Sequence, residues 1–246
     1  MSKIEEALRR ARAERAEEMA ASGGVAPGRD SWPAVERQAV ASRASRELVG
    51  VSAAEEIARM REERPRGPAE LAQLRIIDKE TTDPRVADAF RQLRTSLMRK
   101  SGDKNFILAV MSATGNGGGA SFVALNLAAA IAFDENKTAL VVNGNLLNPF
   151  LDSLVQTEGE VAGLTDFLAG KEKAVERIIH PIGIPRLRVV PAGRQNRSAM
   201  EYFTAPQLGH LLRGLRQRYR ERYIIIDAPP VTQSADARIL SELADY

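Results

Sequence analysis

Gly115, Gly117, Gly118 and Gly119, followed by Ala120, Ser121 and Phe122, form the most chemically suggestive run in the chain. Clustered glycines let a backbone take φ > 0 and come close to an anion, because no Cβ stands in the way. An apolar run, Phe106 to Met111, leads into them, and Ser121 to Ile131 has helical composition. Strand, glycine loop and helix in that order curl backbone N–H groups around a phosphate and aim a helix N-terminus at it. Gly117, Gly118, Gly119, Ala120, Ser121 and Phe122 are therefore the expected nucleotide-binding residues. Ala120 stands just before Ser121, where such a loop carries its lysine.

A second chemical position closes another strand. Tyr223-Ile224-Ile225-Ile226 is an unbroken run of apolar β-formers, the pattern of a parallel strand buried on both faces. It delivers Asp227 to its C-terminal end, the edge where open α/β sheets bind ligands. A carboxylate there suits a magnesium ion held through water, and Ser121 offers a hydroxyl to the same ion.

The remaining elements must hold these two positions together. Thr138 to Val142 reads as a strand running into Asn143-Gly144-Asn145, and Leu187 to Val190 as another running into Pro191-Ala192-Gly193. Asp83-Pro84 opens a helix in which Val86, Ala89, Phe90, Leu93 and Leu97 share one face. Asp88, Arg91 and Arg94 fall at i, i+3, i+6 on a different face, either solvated or paired with a neighbouring subunit. Gly163 to Leu168 and Ala174 to Ile179 read as short helices. Pro206 to Tyr219 reads as a longer one, with Leu208, Leu211, Leu212 and Leu215 inward. Its arginines are the wet side of that helix or a contact for anionic lipid or nucleic acid.

Composition sets the outer limits. Thirty-five basic against 32 acidic residues give a net charge of +3, near balance and no argument for nucleic acid. The absence of cysteine removes disulfides, thiolate nucleophiles and Cys-type zinc sites. No apolar run approaches about 18 residues, so no spanning helix is expected, and a cytoplasmic location is. His180 and His210, the two histidines, have no local partner in sequence. Residues 1–20 read as a solvated or docking helix opened by a Ser2/Glu5 capping box. Residues 21–70, poor in large apolar side chains, read as a flexible linker with transient helix around 52–63 and a lone Trp32. Residues 71–246 read as the folded domain.

Taken together, these motifs resemble the bacterial tyrosine kinases of capsule and exopolysaccharide biosynthesis, a branch of the P-loop ATPases related to MinD and ParA proteins. Asp88 to Thr95 is similar to the family's Glu-x-x-Arg-x-x-Arg oligomerisation helix, with Asp88 in place of Glu. Ser112 to Ala128 resembles its Walker A motif, Leu140 to Pro149 its Walker A′, and Ile224 to Pro230 its Walker B. The opening Met1 to Leu8 resembles stand-alone members linked to exopolysaccharide loci. The resemblance implies an α/β fold, a parallel-sheet P-loop domain with helices on both faces. It further implies ATP or ADP with Mg²⁺ as cofactor and a membrane-embedded polysaccharide co-polymerase as partner, at the inner face of the cytoplasmic membrane. Asp88, Arg91 and Arg94 would mediate self-association or pairing with an active homologue.

Three departures bear on activity. The family's Walker A lysine aligns with Ala120 and its preceding Glu with Gly118, in a loop holding one extra residue. Its two Walker A′ aspartates align with Asn143 and Asn145, and its arginine with Leu147. The sequence stops where a further strand, helix and tyrosine-rich tail would follow, which predicts an exposed sheet edge beside Tyr223 to Ile226. Losing the lysine removes a charge-assisted bond to phosphate, roughly 1.5–3 kcal/mol or about 10- to 150-fold in affinity. An amide can neither accept a proton as a general base nor offset metal charge. The expectation is a degenerate, regulatory or scaffolding member with weakened nucleotide binding. An active autokinase with a rearranged site and a ParA- or MinD-like positioning ATPase are the alternatives.

Overall fold

The computed structural model describes residue 60 and residues 64–78, 83–115, 117–146, 148, 150–156, 159–194, 203 and 206–246. The expected N-terminal helix, Trp32 and most of the expected linker lie outside the described residues. So do residues 116, 147 and 149.

Five strands form one sheet in the order β1-β5-β2-β4-β3. They are β1 (Ile107–Val110), β2 (Thr138–Asn143), β3 (His180–Pro181), β4 (Leu187–Val190) and β5 (Arg222–Asp227). The first four in spatial order run parallel, and only the two-residue β3 pairs antiparallel with β4. Every residue of β2 and β5 is buried, which is why both read as continuous rather than alternating apolar runs. Tyr223 and Ile225 pack with one helical layer, while Ile224 and Ile226 pack with the other.

The sequence-based edge beside Tyr223 to Ile226 is overturned: β5 lies between β1 and β2, and β1 is the edge strand. On the outer side of β1, Ala109 N–H donates to the Tyr246 carbonyl (3.0 Å) and Asp245 N–H donates to the Ile107 carbonyl (2.8 Å). Residues 245 and 246 thus lie along that edge. Nothing in the linear pattern revealed that the last long strand would be inserted between the first two.

Helices α1 (Pro68–Gln73), α2 (Pro84–Ser101) and α3 (Ala120–Ala132) share one side of the sheet. Ala124 through Ala132 are all buried, and their small side chains let α3 lie close between α2 and the strands. Two short helices follow, α4 (Phe150–Ser153) and α5 (Leu164–Leu168), with a 3₁₀ turn at Val175–Ile178. On the other side lie α6 (Pro206–Arg218) and α7 (Ala235–Glu242).

The apolar face expected for α2 is only partly inward. Phe90 is buried and Leu97 packs on the core, but Val86 and Leu93 are each 37% exposed. Packing ahead of Leu71 is also present. Arg66 donates through Nε to the Ile182 carbonyl (2.8 Å) and through Nη2 to the Leu154 carbonyl (2.9 Å). Its own N–H bonds to the Gly183 carbonyl.

Candidate nucleotide site

Local chemistry explains the shape of the glycine loop. Gly115, Gly117 and Gly119 all have positive φ, between +82° and +91°. Left-handed residues at alternate positions turn successive N–H groups into one concavity, a nest for an anion. Gly118 is required for a different reason. A Cβ there would fall 1.8 Å from Ser112 Oγ and 2.7 Å from Ser112 Cβ. The position that carries Glu in the resembled family therefore cannot hold a side chain in this arrangement. Gly119 is the N-cap of α3, whose first residues are Ala120, Ser121 and Phe122.

The loop opens onto a cavity of about 510 Å³ at the C-terminal edge of β1, β2 and β5. Gly117, Gly118, Gly119, Ala120, Ser121 and Phe122 all line it. Asn145 and Asn148 close one side, and Pro229, Pro230, Gln233 and Ser234 the other. No charged side chain lines this cavity among the described residues. Among the described residues, none that lines the cavity replaces the cation that Ala120 lacks.

Asp227 and Ser121 meet, and the Ser121 hydroxyl bonds to the carboxylate. Asp227 is 1% exposed, and its Oδ1 has no hydrogen-bond partner. Burial pushes its pKa up to about 6, against a smaller lowering by Ser121. Ser121 Oγ also accepts from Asn148 Nδ2 at 3.3 Å. An orphaned carboxylate oxygen beside a hydroxyl fits a magnesium ion bound through water. Asp227 and Ser121 are the residues that would hold it. Such an ion would supply charge neutralisation to bound phosphates. Among the described residues, no side chain supplies positive charge or a base at the cavity wall.

The two asparagines expected at catalytic positions separate. Asn145 lines the cavity, but Asn143 does not. Asn143 is fully buried, and its amide is consumed internally. Its Nδ2 donates to the Asn148 carbonyl and to Asp152 Oδ1, each at 3.1 Å, while its Oδ1 accepts from Asn145 N–H at 3.0 Å. Asp152 Oδ1 also accepts from Ala192 N–H at 2.8 Å. Asn143 is thus the pin joining the loop after β2 to α4 and to the loop after β4.

Asn148, Asp152, Gln233 and Ser234 are site or support residues that sequence reasoning missed. Asn148 lay inside a motif already singled out. Asp152 and Gln233 carried no local signal, because only the tertiary fold brings them in.

The α2 charges also separate. Asp88 and Arg91 pair at 2.6 Å on the exposed surface. Arg94 instead reaches across to α3 and donates to the Ala130 carbonyl at 2.9 Å. His180 is held by the Ala162 carbonyl at 2.8 Å. Among the described residues no cluster of three or more His, Asp or Glu side chains could hold a metal ion. No helix there is long and apolar enough to cross a membrane.

No family model matches the chain. It is 32% identical over 162 residues to the putative tyrosine-protein kinase EpsB of Ralstonia solanacearum, a match taking in 66% of this chain and 21% of that protein. It is 28% identical over 176 residues to the tyrosine-protein kinase CpsD of Streptococcus agalactiae, covering 71% and 74% respectively. The chain therefore spans about a fifth of the Ralstonia relative's length. Among solved structures, the kinase domain of the Escherichia coli tyrosine kinase ETK matches with a TM-score of 0.59 at 25% identity, over 74% of this chain and 72% of that one. The chimerical protein CapA2B2 matches with a TM-score of 0.60 at 21% identity, over 82% and 81%, and speaks for the fold alone.

Proposed function

We propose that this homologue of the bacterial tyrosine-protein kinases is a degenerate kinase-like P-loop protein, acting as a regulatory or scaffolding subunit in exopolysaccharide or capsule biosynthesis. One observation carries the reading: a glycine loop with positive φ at Gly115, Gly117 and Gly119 opens into a cavity that no charged side chain lines among the described residues. Phosphoryl transfer depends on cations placed around the transferring group and on a positioned acceptor for the proton. Ala120 supplies no cation, and Asn143 is committed to holding α4 and the loop after β4. Asp227 and Ser121 keep the means to hold magnesium, so weak binding of ATP or ADP with Mg²⁺ remains part of the reading.

The resemblance drawn from the motifs supports a partner of the membrane-embedded polysaccharide co-polymerase kind, which would bring the protein to the inner face of the cytoplasmic membrane. The exposed Asp88–Arg91 pair, flanked by exposed Val86 and Leu93, supports α2 as the contact for self-association or for an active homologue. Arg94, tied to α3, would brace that helix rather than reach a neighbour.

The test is phosphotransfer. Purified full chain incubated with millimolar MgATP is expected to yield no phosphotyrosine and no phosphate release above buffer. Sedimentation of the native chain and of Arg91→Glu, run beside it, is expected to show a smaller assembly for the variant. Phosphotyrosine on the native chain would turn the account towards an active autokinase. An assembly unchanged in Arg91→Glu would remove α2 from it.

A further inference from the structure

The edge of the sheet opposite the glycine loop gathers positive charge that the proposed function does not use. Arg222 and Thr138 open β5 and β2 and are cross-strand partners. Arg188 on β4 faces Leu140 of β2. Side chains alternate along a strand, so these three share the face on which Leu140, Val190 and Ile224 pack. α6 covers that face, and its last residue, Arg218, pairs with Glu176 of the 3₁₀ turn. Three guanidinium groups from three elements thus surround one corner.

Arg222 is the anomaly within it. It is only 6% exposed, and its Cζ sits over the Tyr219 ring, 3.8 Å from the centroid. Its guanidinium has no hydrogen-bond or ion-pair partner among the described residues. Beside it, Thr138 Oγ1 is buried and equally unpartnered. Burial pushes the Arg222 pKa down; Tyr219 and Glu221 hold it up, and Arg218 and Arg188 press it down further. A buried guanidinium offering five N–H donors, with like charges for neighbours, is costly unless an acceptor completes it.

We propose that this corner is a site for a small oxyanion such as phosphate or sulfate, with Arg222 as the bidentate donor, Thr138 as the hydroxyl donor and Arg188 as the flanking charge. A planar guanidinium matches two oxygens of such an anion, and the orphaned hydroxyl supplies a third bond.

Calorimetric titration of the full chain with inorganic phosphate at fixed ionic strength tests this, since general screening is then constant. The native protein is expected to show saturable binding that survives Ala120→Glu, which repels anions from the glycine loop. Arg222→Gln is expected to weaken binding about tenfold or more, with a smaller loss in Thr138→Val. In chloride buffer without oxyanion, Arg222→Gln should be no less stable than native, and added phosphate should raise the native melting temperature alone. Parallel titration with glycerol 3-phosphate separates the sources: equal affinity identifies an organic phosphate, weaker affinity the free ion. Phosphate binding that survives Arg222→Gln and vanishes in Ala120→Glu would overturn the proposal. So would an Arg222→Gln variant that loses stability without phosphate and responds to phosphate as the native chain does, for then Arg222 only stacks on Tyr219.

Discussion

Asn143→Asp is expected to destabilise the fold by about 3 kcal/mol at pH 7, although it restores the acidic residue of the resembled family. Asn143 has no exposure, and its amide donates at 3.1 Å to Asp152 Oδ1 and to the Asn148 carbonyl. An aspartate there has no donor at neutral pH, so both acceptors lose their partner and a second carboxylate faces the first. Burying unpaired like charges is among the few single changes with so large an effect. Adding Asp152→Asn returns an N–H donor across the same gap and should recover more than half of the loss. Urea denaturation of the two single variants and the double variant measures this directly. A single-variant loss below about 1 kcal/mol, or strictly additive effects in the double variant, would remove Asn143 from its role as the pin.

Asp227→Asn should do the opposite and stabilise the fold at neutral pH. Burial raises the folded carboxyl from its ordinary 3.8 to about 6, with Ser121 opposing. A raised acid favours the neutral form in the fold, so its contribution is fully present below about pH 4. That contribution is lost as pH rises through about 6. Asparagine stays neutral throughout. Its advantage should therefore be nil near pH 4, grow across pH 4–6 and level off above about pH 6.5 at about 2–3 kcal/mol. Thermal melts of both proteins from pH 4 to pH 8 trace the curve. Millimolar magnesium should raise the melting temperature of the native chain at pH 7 and leave the asparagine variant unmoved. A constant difference across the pH range would show that Asp227 is not held in a charge-averse setting.

Much of this site was legible in the sequence because its physics is local. Gly117, Gly118 and Gly119 announce a loop that must bend where side chains cannot, and Tyr223 to Ile226 announces a strand buried on both faces. Asp227 follows from that strand by adjacency alone. What remained hidden depends on elements distant in sequence. Asn143 aligns with a catalytic position, yet its partner Asp152 sits nine residues on and a third group, Ala192 N–H, comes from another strand's end. Arg94 reads as one of a charged row until α3 is packed behind it. Val86 and Leu93 fit the helical period but face outward, since periodicity marks one face of a helix without saying that all of it is covered. The insertion of β5 between β1 and β2 is a matter of topology, which strand composition does not encode.

The central claim is that the cavity kept its shape and lost its charge. It is tested most directly by titrating the native chain and Ala120→Lys with MgADP in a calorimeter. The account predicts only weak binding for the native chain, with a dissociation constant of about a millimolar or above. For the lysine variant it predicts a gain of about tenfold or more, the worth of one charge-assisted bond to phosphate. Micromolar binding by the native chain, unchanged by the added lysine, would contradict it and mean that the neutral nest suffices to hold a nucleotide.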